Sequence, residues 1–212
     1  MTPVTTHTVR EIAGPVGPLE ALLDTPDGAP RAVVVVGHPH PQHGGTMHNK
    51  VVYRTAKSLR EIGCAALRFN FRGVGSSLGE FDDGNGEADD FRAAIDFLTG
   101  RYPGIPVWAA GFSFGAWLAL TVGARDPRVT LLLGIAPPTH YDLDAFRQSD
   151  KPKFLIHGER DELVAVQDIW KLNAGLAEPK ELVVIDAADH LFGGKVSDVG
   201  DAIVDLLGDY PT

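Results

Sequence analysis

The sequence predicts an α/β fold, with a mostly parallel sheet of about eight strands and helices on both faces. The first observation is a series of short apolar or β-branched runs bounded by Gly or Pro, which is typical of buried parallel strands. The second is that longer amphipathic stretches separate these runs, as helices do between parallel strands. The third is the turn sequence GPVGP near the start of the chain, which indicates an N-terminal hairpin.

The individual elements follow this alternation along the chain. The hairpin strands flank the GPVGP turn and the other strands follow in order: 8–13, 19–24, 31–37, 64–71, 106–111, 129–135, 153–157 and 181–186. The predicted helices lie at about 49–62, 87–99, 114–125, 164–176 and 196–207. No internal repeat or linker is evident, so residues 1–212 are interpreted as one domain. In open sheets of this kind, sites form beyond the carboxyl ends of the strands.

Composition and charge argue against some classes of binding partner. The chain of 212 residues carries a net charge of −9 with a pI near 5.3, which disfavours nucleic acid and an anionic membrane surface. The only cysteine, Cys64, allows no intrachain disulfide and lies in an apolar run, so we interpret it as a core residue. The first residues lack an apolar run of signal-peptide length. We therefore expect a cytoplasmic protein that acts on a small molecule, and the oligomeric state remains open.

A nucleophile candidate follows the strand at 106–111. The sequence GFSFG, Gly111 to Gly115, matches G-x-S-x-G between a predicted strand and a predicted helix. The tight strand-to-helix turn brings the residues two before and two after the serine close together, so both must be small. The alternative is a serine that caps the helix. We favour Ser113 as a nucleophile whose hydroxyl projects from the sheet edge.

A serine nucleophile needs a base, and three histidines follow it in the chain. His157 lies inside the apolar run KFLIHG and is better interpreted as a core histidine at a strand end. His140 follows the strand at 129–135 in a loop. His190 follows the last predicted strand, and the chain order Ser, acid, His then matches one known arrangement of the triad. We favour His190 as the base.

The acid that orients the histidine is expected after the strand at 153–157. Glu159, Asp161 and Glu162 compete there. Asp161 lies three residues past Gly158 and before an apolar turn, a position that directs a side chain back over the strand end. Asp161 is therefore favoured, and the two glutamates are interpreted as solvated charges.

These motifs resemble those of the α/β-hydrolase superfamily over essentially the whole chain. GFSFG resembles its nucleophile elbow, GERDELV its acid segment and ADHLF its histidine loop. The segments HPHPQHGGTMHNKVV and LRFNFRGVGSSLGEFDDGNGE resemble those of a group of small bacterial hydrolases that is broadly similar to dienelactone hydrolases, which carry a cysteine where this chain has Ser113. Only 17 residues, 136–152, separate two successive strands where larger relatives insert a lid. The resemblance thus implies an α/β-hydrolase fold without a cap domain.

The sequence GHPHPQHGG, 37–45, resembles a metal-binding cluster because His38, His40, His43 and His48 lie close together. Proline on both sides of His40 extends the loop, however, and no carboxylate or cysteine accompanies the histidines, so no metal is predicted. In the hydrolase fold this loop supplies one oxyanion-hole donor. Proline lacks an N–H, which excludes Pro39 and Pro41 as donors. By analogy with the His-Gly-x pattern of this superfamily, the resemblance implies that the donors are the backbone N–H groups of His40 and Phe114.

The predicted activity is hydrolysis of a small carboxylic ester by Ser113, His190 and Asp161 without a cofactor. Side chains adjacent in sequence to this site are expected to line an apolar acyl pocket: Met47, Leu163, Leu191 and Phe192. The alternatives are a thioesterase, an aminoacyl or peptide amidase with the same triad, or a non-catalytic binding protein on the same fold.

Overall fold

The computed structural model describes residues 6–7, 9 and 11–211, and these contain a single twisted sheet. Its strands are β1 (Thr6–His7), β2 (Glu11–Gly14), β3 (Gly17–Asp24), β4 (Val33–Gly37), β5 (Ala65–Phe69), β6 (Val107–Phe112), β7 (Val129–Ile135), β8 (Lys153–Gly158) and β9 (Lys180–Ile185). Their spatial order is β1-β3-β5-β4-β6-β7-β8-β9, with β2 paired to β3. The strands from β4 to β9 are parallel, whereas β1, β2 and β3 pair antiparallel. The predicted mostly parallel sheet with an N-terminal hairpin is confirmed.

The central strands are apolar on both sides because both faces of the sheet are covered. Every residue of β4, VVVVG, is buried, and the strand lies between β5 and β6. A strand with only one covered face would alternate apolar and polar residues. The absence of alternation in β4, β5 and β6 is what made these strands recognisable in the sequence.

Helices pack on both faces, as the sequence predicted. They are α1 (Lys50–Glu61), α2 (Asn85–Arg101), α3 (Phe114–Arg125), α4 (Asp144–Gln148), α5 (Val166–Ala174) and α6 (Val196–Leu207). One core cluster contains the apolar faces of α1 and α6, and the other contains those of α2, α3 and α5. Cys64 is buried in the first of these clusters, as expected. Among the described residues, no helix is long and apolar enough to cross a bilayer.

Most predicted boundaries differ from the structure by a few residues at an element end. The predicted strand 8–13 is described only in part, since Thr8 and Arg10 lie outside the described residues, and β2 occupies Glu11–Gly14. The connection 136–152 contains the one short helix α4 and has no room for a cap domain. The open carboxyl edge of the sheet is therefore left uncovered at this point.

The strand order reverses between β4 and β6, and the candidate site lies at this reversal. From β4 the chain moves outward to β5, then returns to add β6 on the other side of β4. In doubly wound sheets such a reversal opens a crevice beyond the carboxyl ends of the two strands. The loop at 38–45 and the serine turn at 113 leave these two neighbouring strands, so the topology brings them together.

Candidate active site

Ser113 lies at the turn between β6 and α3 in a backbone conformation that non-glycine residues rarely adopt. Its φ is 54° and its ψ is −120°. Such conformations cost on the order of 1–3 kcal/mol and persist only where surrounding contacts hold them. Here the backbone N–H of Ser113 donates to the carbonyl of Ile135 (2.9 Å), which fixes the turn to β7. The turn directs the hydroxyl away from the sheet.

The two glycines of GFSFG are required by close approach of the backbone. A Cβ added to Gly111 would overlap the carbonyl group of Gly115. A Cβ added to Gly115 would overlap the backbone of Gly37 and His38 at the end of β4. The two glycines therefore allow two close contacts. Gly111 and Gly115 approach each other within the serine turn, and Gly115 lets the start of α3 pack against the end of β4.

The structure brings together the three residues that the sequence singled out. His190 Nε2 lies 3.0 Å from Ser113 Oγ, and His190 Nδ1 lies 2.7 Å from Asp161 Oδ2. Both distances are within hydrogen-bond range. Asp161 and His190 are each 6% exposed, whereas Ser113 is half-buried and reaches the cavity. With Nδ1–H donating to the carboxylate, Nε2 is left to accept the serine proton.

The carboxylate of Asp161 is held by several donors. Its Oδ1 accepts hydrogen bonds from the backbone N–H groups of Leu163 (2.9 Å) and Val164 (2.8 Å). Burial raises the pKa of Asp161, but the hydrogen bonds from His190 and Val164 outweigh burial and leave the pKa below its usual value. The group is therefore ionised at neutral pH and oriented toward His190.

The competing residues make other contacts than the series from Ser113 through His190 to Asp161. His157 is fully buried, and its Nε2 donates to the carbonyl of Val164 (2.9 Å), so it supports the turn that carries Asp161. Burial lowers the pKa of His157, which keeps the ring neutral. Glu159 accepts from the N–H of Ala187 and is exposed, and Glu162 is also exposed. His140 lines the cavity that contains Ser113.

The two expected oxyanion donors face the same cavity. His40 and Phe114 both line the cavity that contains Ser113, and their backbone N–H groups find no acceptor among the described residues. Unsatisfied N–H groups beside a nucleophile are what a developing oxyanion requires. The His40 side chain makes a different contact. Its Nδ1 accepts a hydrogen bond from the N–H of Gln42 (3.2 Å) and so caps the short 3-10 helix Pro41–His43.

His38 anchors the loop that carries His40. It is fully buried, its Nε2 accepts from the N–H of Phe71 (3.1 Å), and its Nδ1 lies 2.6 Å from the carbonyl of Pro39. Nε2 must therefore be unprotonated and Nδ1 protonated. Burial lowers the pKa of His38 to about 4, despite the opposing hydrogen bond to Pro39. Both ring nitrogens are engaged within the fold.

The burial of His38 predicts a specific loss of stability in acid. Its pKa is about 4 when folded and near the usual 6.5 when unfolded, so below pH 6.5 the unfolded chain binds the proton more readily. The stabilising contribution is complete above pH 6.5 and declines as the pH falls toward 4, by up to about 3 kcal/mol. Urea unfolding from pH 7.5 to 4.5 measures this loss. His38→Gln, which does not titrate, should show a shallower decline, and an equal decline would contradict the assignment.

The histidines of the loop do not converge on one point. His38 is occupied as described, while the rings of His40 and His43 stack on each other with centroids 4.5 Å apart. His48 lies outside the cavity that contains Ser113. Within the described ranges, no group of three His, Cys, Asp or Glu residues has an arrangement that would hold a metal ion.

The cavity beside Ser113 corrects three of the four pocket predictions. It has a volume of about 230 Å³ and is lined by His40, His43, Ser113, Phe114, Pro138, His140, Tyr141, Leu163, Val164 and His190. Leu163 lies in this lining, as expected. Met47 and Phe192 are buried and do not line the cavity, and Leu191 faces a neighbouring surface depression. Phe192 has a positive φ of 54°, and its ring packs against Phe112 in the core.

Tyr141 and Pro138 are lining residues that sequence reasoning missed. Both lie in the segment APPTHY that follows β7. The signal available in the sequence was their position just beyond the carboxyl end of a parallel strand next to the nucleophile strand. That position places a segment at the site even where its residues are apolar and carry no catalytic chemistry.

Comparisons with known proteins identify the family and the fold of the chain. Residues 28–149 match the family model described as serine aminopeptidase, S33. A solved α/β serine hydrolase homologue from Coxiella burnetii is 36% identical, with a TM-score of 0.88, and the match covers 98% of each chain. An α/β serine hydrolase without a lid, from Xanthomonas campestris, is 36% identical with a TM-score of 0.86, and the match covers 97% of this chain and 94% of that one.

A more distant similarity links the chain to an enzyme of known class. A monoacylglycerol lipase of Mycolicibacterium smegmatis is 30% identical over 127 residues, which are 58% of this chain but 43% of the lipase. The chain therefore matches less than half the length of that relative.

Proposed function

The chain belongs to the S33 family of α/β serine hydrolases, and we propose that it cleaves small carboxylic esters through an acyl-enzyme. The observation that carries the proposal is the continuous hydrogen-bonded series from Ser113 through His190 to Asp161, with distances of 3.0 and 2.7 Å. A nucleophile, a base and an orienting acid in this order form the arrangement used for acyl transfer.

In the proposed mechanism, Ser113 Oγ attacks the ester carbonyl carbon while His190 Nε2 takes the hydroxyl proton. The carbonyl oxygen becomes negative and is held by the N–H groups of His40 and Phe114. His190 then gives the proton to the departing alkoxide, which leaves as the alcohol. Water, activated by His190 in the same way, releases the acid from Ser113. Asp161 stabilises the imidazolium that forms in each half of the cycle.

The shape and charge of the cavity favour small neutral esters over the alternatives. A volume of about 230 Å³ beside Ser113, with no lid, gives no enclosed tunnel for a long acyl chain. Among the described residues, no Asp, Glu, Lys or Arg side chain lines the cavity. A free amino terminus, which an aminopeptidase must hold, would lack a carboxylate partner there. The monoacylglycerol lipase relative is itself an enzyme of ester substrates by name, which supports the same class.

An activity screen tests this proposal directly. The wild-type chain is incubated with p-nitrophenyl esters of increasing acyl length, with acyl thioesters and with aminoacyl p-nitroanilides. We expect the highest kcat/KM for short acyl esters and little cleavage of the anilides. Ser113→Ala controls for spontaneous and contaminating hydrolysis. A preference for the anilides would identify an amidase, and failure to cleave every class would favour a non-catalytic protein.

The oxyanion assignment predicts a difference between two substitutions at one position. The φ of His40 is −50°, which proline can adopt, so His40→Pro removes the N–H with little change of the local backbone angle. Loss of one oxyanion donor lowers kcat by about 10²- to 10³-fold. His40→Ala keeps the N–H and should retain most of kcat. Steady-state kinetics compare the two variants, with circular dichroism to verify folding. An equal loss in His40→Ala would show that the imidazole itself takes part.

A further inference from the structure

Aromatic rings line the cavity beside Ser113 as a continuous wall. Along this wall the ring centroids of His43 and His40 are 4.5 Å apart, and those of His40 and Phe114 are 5.0 Å apart. Phe114 and Tyr141 are 6.4 Å apart, and Tyr141 and His140 are 4.4 Å apart. These separations are those of stacked and edge-to-face aromatic pairs, so one more ring placed in the cavity would meet several partners at favourable distances.

The wall is preformed because Tyr141 and Phe114 each pack against a further aromatic ring. Tyr141 stacks on Trp117 with centroids 4.4 Å apart and an interplanar angle of 16°. Trp117 is fixed in turn by a hydrogen bond from its Nε1 to the carbonyl of Asp142 (2.9 Å). Phe114 is 2% exposed and packs edge-on against Phe71. Rings that are already fixed lose little conformational freedom when a ligand binds.

The electrostatics of the wall suit a neutral ring. No Asp, Glu, Lys or Arg among the described residues lines the cavity, so a charged ligand group finds no fixed counter-charge there. Burial lowers the pKa of His40, and His43 lowers it further, which leaves an uncharged imidazole in the wall at neutral pH. Neutral rings attract another aromatic ring through contacts between ring edges and faces.

The volume is also that of a ring-sized group. An apolar protein cavity of about 150 Å³ accepts benzene. The cavity beside Ser113, at about 230 Å³, therefore has space for one six-membered ring and the ester group that joins it to the reacting carbon. A long flexible chain would have to leave the cavity into solvent.

We propose that this cavity is an aryl subsite, and that the preferred substrates are esters that carry an aromatic ring one or two bonds from the ester group. The inference rests on the proposed ester hydrolysis, since it names the substrate class of that same site. It assigns the recognition of the ring to Tyr141, which is the more exposed of the two central rings of the wall.

The test compares substrates that differ only in the aromaticity of a six-membered ring. Methyl phenylacetate is paired with methyl cyclohexylacetate for the acyl side, and benzyl acetate with cyclohexylmethyl acetate for the alcohol side. The members of each pair have similar size, and each kcat/KM is divided by the alkaline hydrolysis rate of the same ester to remove the difference in intrinsic reactivity. We expect kcat/KM to be about 3- to 10-fold higher for the aromatic member of at least one pair, the range that aromatic pairing contributes beyond burial. The pair that shows the preference identifies the side on which the ring binds.

Three variants test whether the aromatic wall causes the preference for the aromatic ester. Tyr141→Leu should reduce it to about twofold or less, and Tyr141→Phe, which keeps the ring, should retain it. Tyr53→Leu is the matched control, because Tyr53 is a half-exposed tyrosine on α1 that lies outside this cavity. Equal kcat/KM within both substrate pairs, or a preference that survives in Tyr141→Leu, would overturn the aryl subsite.

A binding measurement separates this inference from the proposed reaction. Ser113→Ala is titrated with methyl phenylacetate and with methyl cyclohexylacetate, and binding is followed by NMR shifts of the aromatic side chains. Tighter binding of the aromatic ester supports the subsite even if the wild-type chain hydrolyses neither compound, in which case only the ester reaction is refuted. Hydrolysis of both pairs without an aromatic preference, together with equal binding, refutes the subsite and leaves the ester reaction standing.

Discussion

Ser113→Ala is expected to lower kcat for short esters by on the order of 10⁴- to 10⁶-fold. The hydroxyl is the atom that His190 Nε2 contacts at 3.0 Å, and no other hydroxyl or thiol lines the cavity within the described residues except that of Tyr141. The lone thiol, Cys64, is buried in the core, and burial raises its pKa to about 11, so it is a poor substitute nucleophile. Single-turnover kinetics with a chromogenic ester measure the residual rate.

A second substitution at the same position separates loss of chemistry from loss of fold. Ser113→Gly also removes the hydroxyl, but glycine accepts a φ of 54° without steric cost. Ser113→Gly should therefore be as inactive as Ser113→Ala and more stable than it, by about 1 kcal/mol or more, in urea unfolding. Substantial activity in either variant would contradict the role of the hydroxyl. Lower stability in the glycine variant would contradict the strained turn.

Asp161→Asn is the second large effect, with an expected loss in kcat of about 10⁴-fold. The carboxylate Oδ2 accepts from His190 Nδ1 at 2.7 Å and so fixes Nε2 as the atom that faces Ser113. An amide at this position can present its NH₂ group to Nδ1 instead, which favours the tautomer with Nε2 protonated. That tautomer cannot accept the serine proton. The backbone donors Leu163 and Val164 can still bind the amide oxygen, so the turn should remain intact.

Glu162→Gln is the matched control for this substitution. Glu162 is the next residue but is exposed, and it competed with Asp161 in the sequence. Neutralising Glu162 changes the local charge by the same amount without touching His190, so kcat should stay within about twofold of wild type. A comparable loss in both variants would mean that local charge, and not the Asp161–His190 contact, controls the rate.

The residues proposed to perform the chemistry were predictable because reactive residue types follow the strand ends. Ser113 and Asp161 follow β6 and β8, which are buried along their whole length, and His190 follows the partly buried edge strand β9, whose apolar run LVVI still marks it in the sequence. His157 was separable from His190 because it lies within its strand, where a side chain is enclosed by the sheet and its helices. The glycines at 111 and 115 added a steric requirement that few serine turns share.

The pocket was less predictable because adjacency in sequence does not set the direction of a side chain. Leu191 and Phe192 are neighbours of His190, yet the positive φ of Phe192 turns its ring into the core, and Leu191 points to a different depression. Met47 is buried, and its backbone is held by hydrogen bonds with the side chains of Asn70 and Arg68. Tyr141 enters the cavity from the segment APPTHY, which shows no periodicity, and the only candidate for chemistry in that segment was His140. Its place depends on stacking against Trp117, a contact that only the folded chain reveals.

Covalent labelling tests whether Ser113 is the activated nucleophile. The protein is treated with an alkyl fluorophosphonate, and the adduct is located by intact-mass measurement and peptide sequencing. We expect one adduct per wild-type chain, on Ser113, no adduct in Ser113→Ala, and much slower labelling in Asp161→Asn. Equal labelling of wild type and Ser113→Ala, or an adduct on another residue, would contradict this role of Ser113.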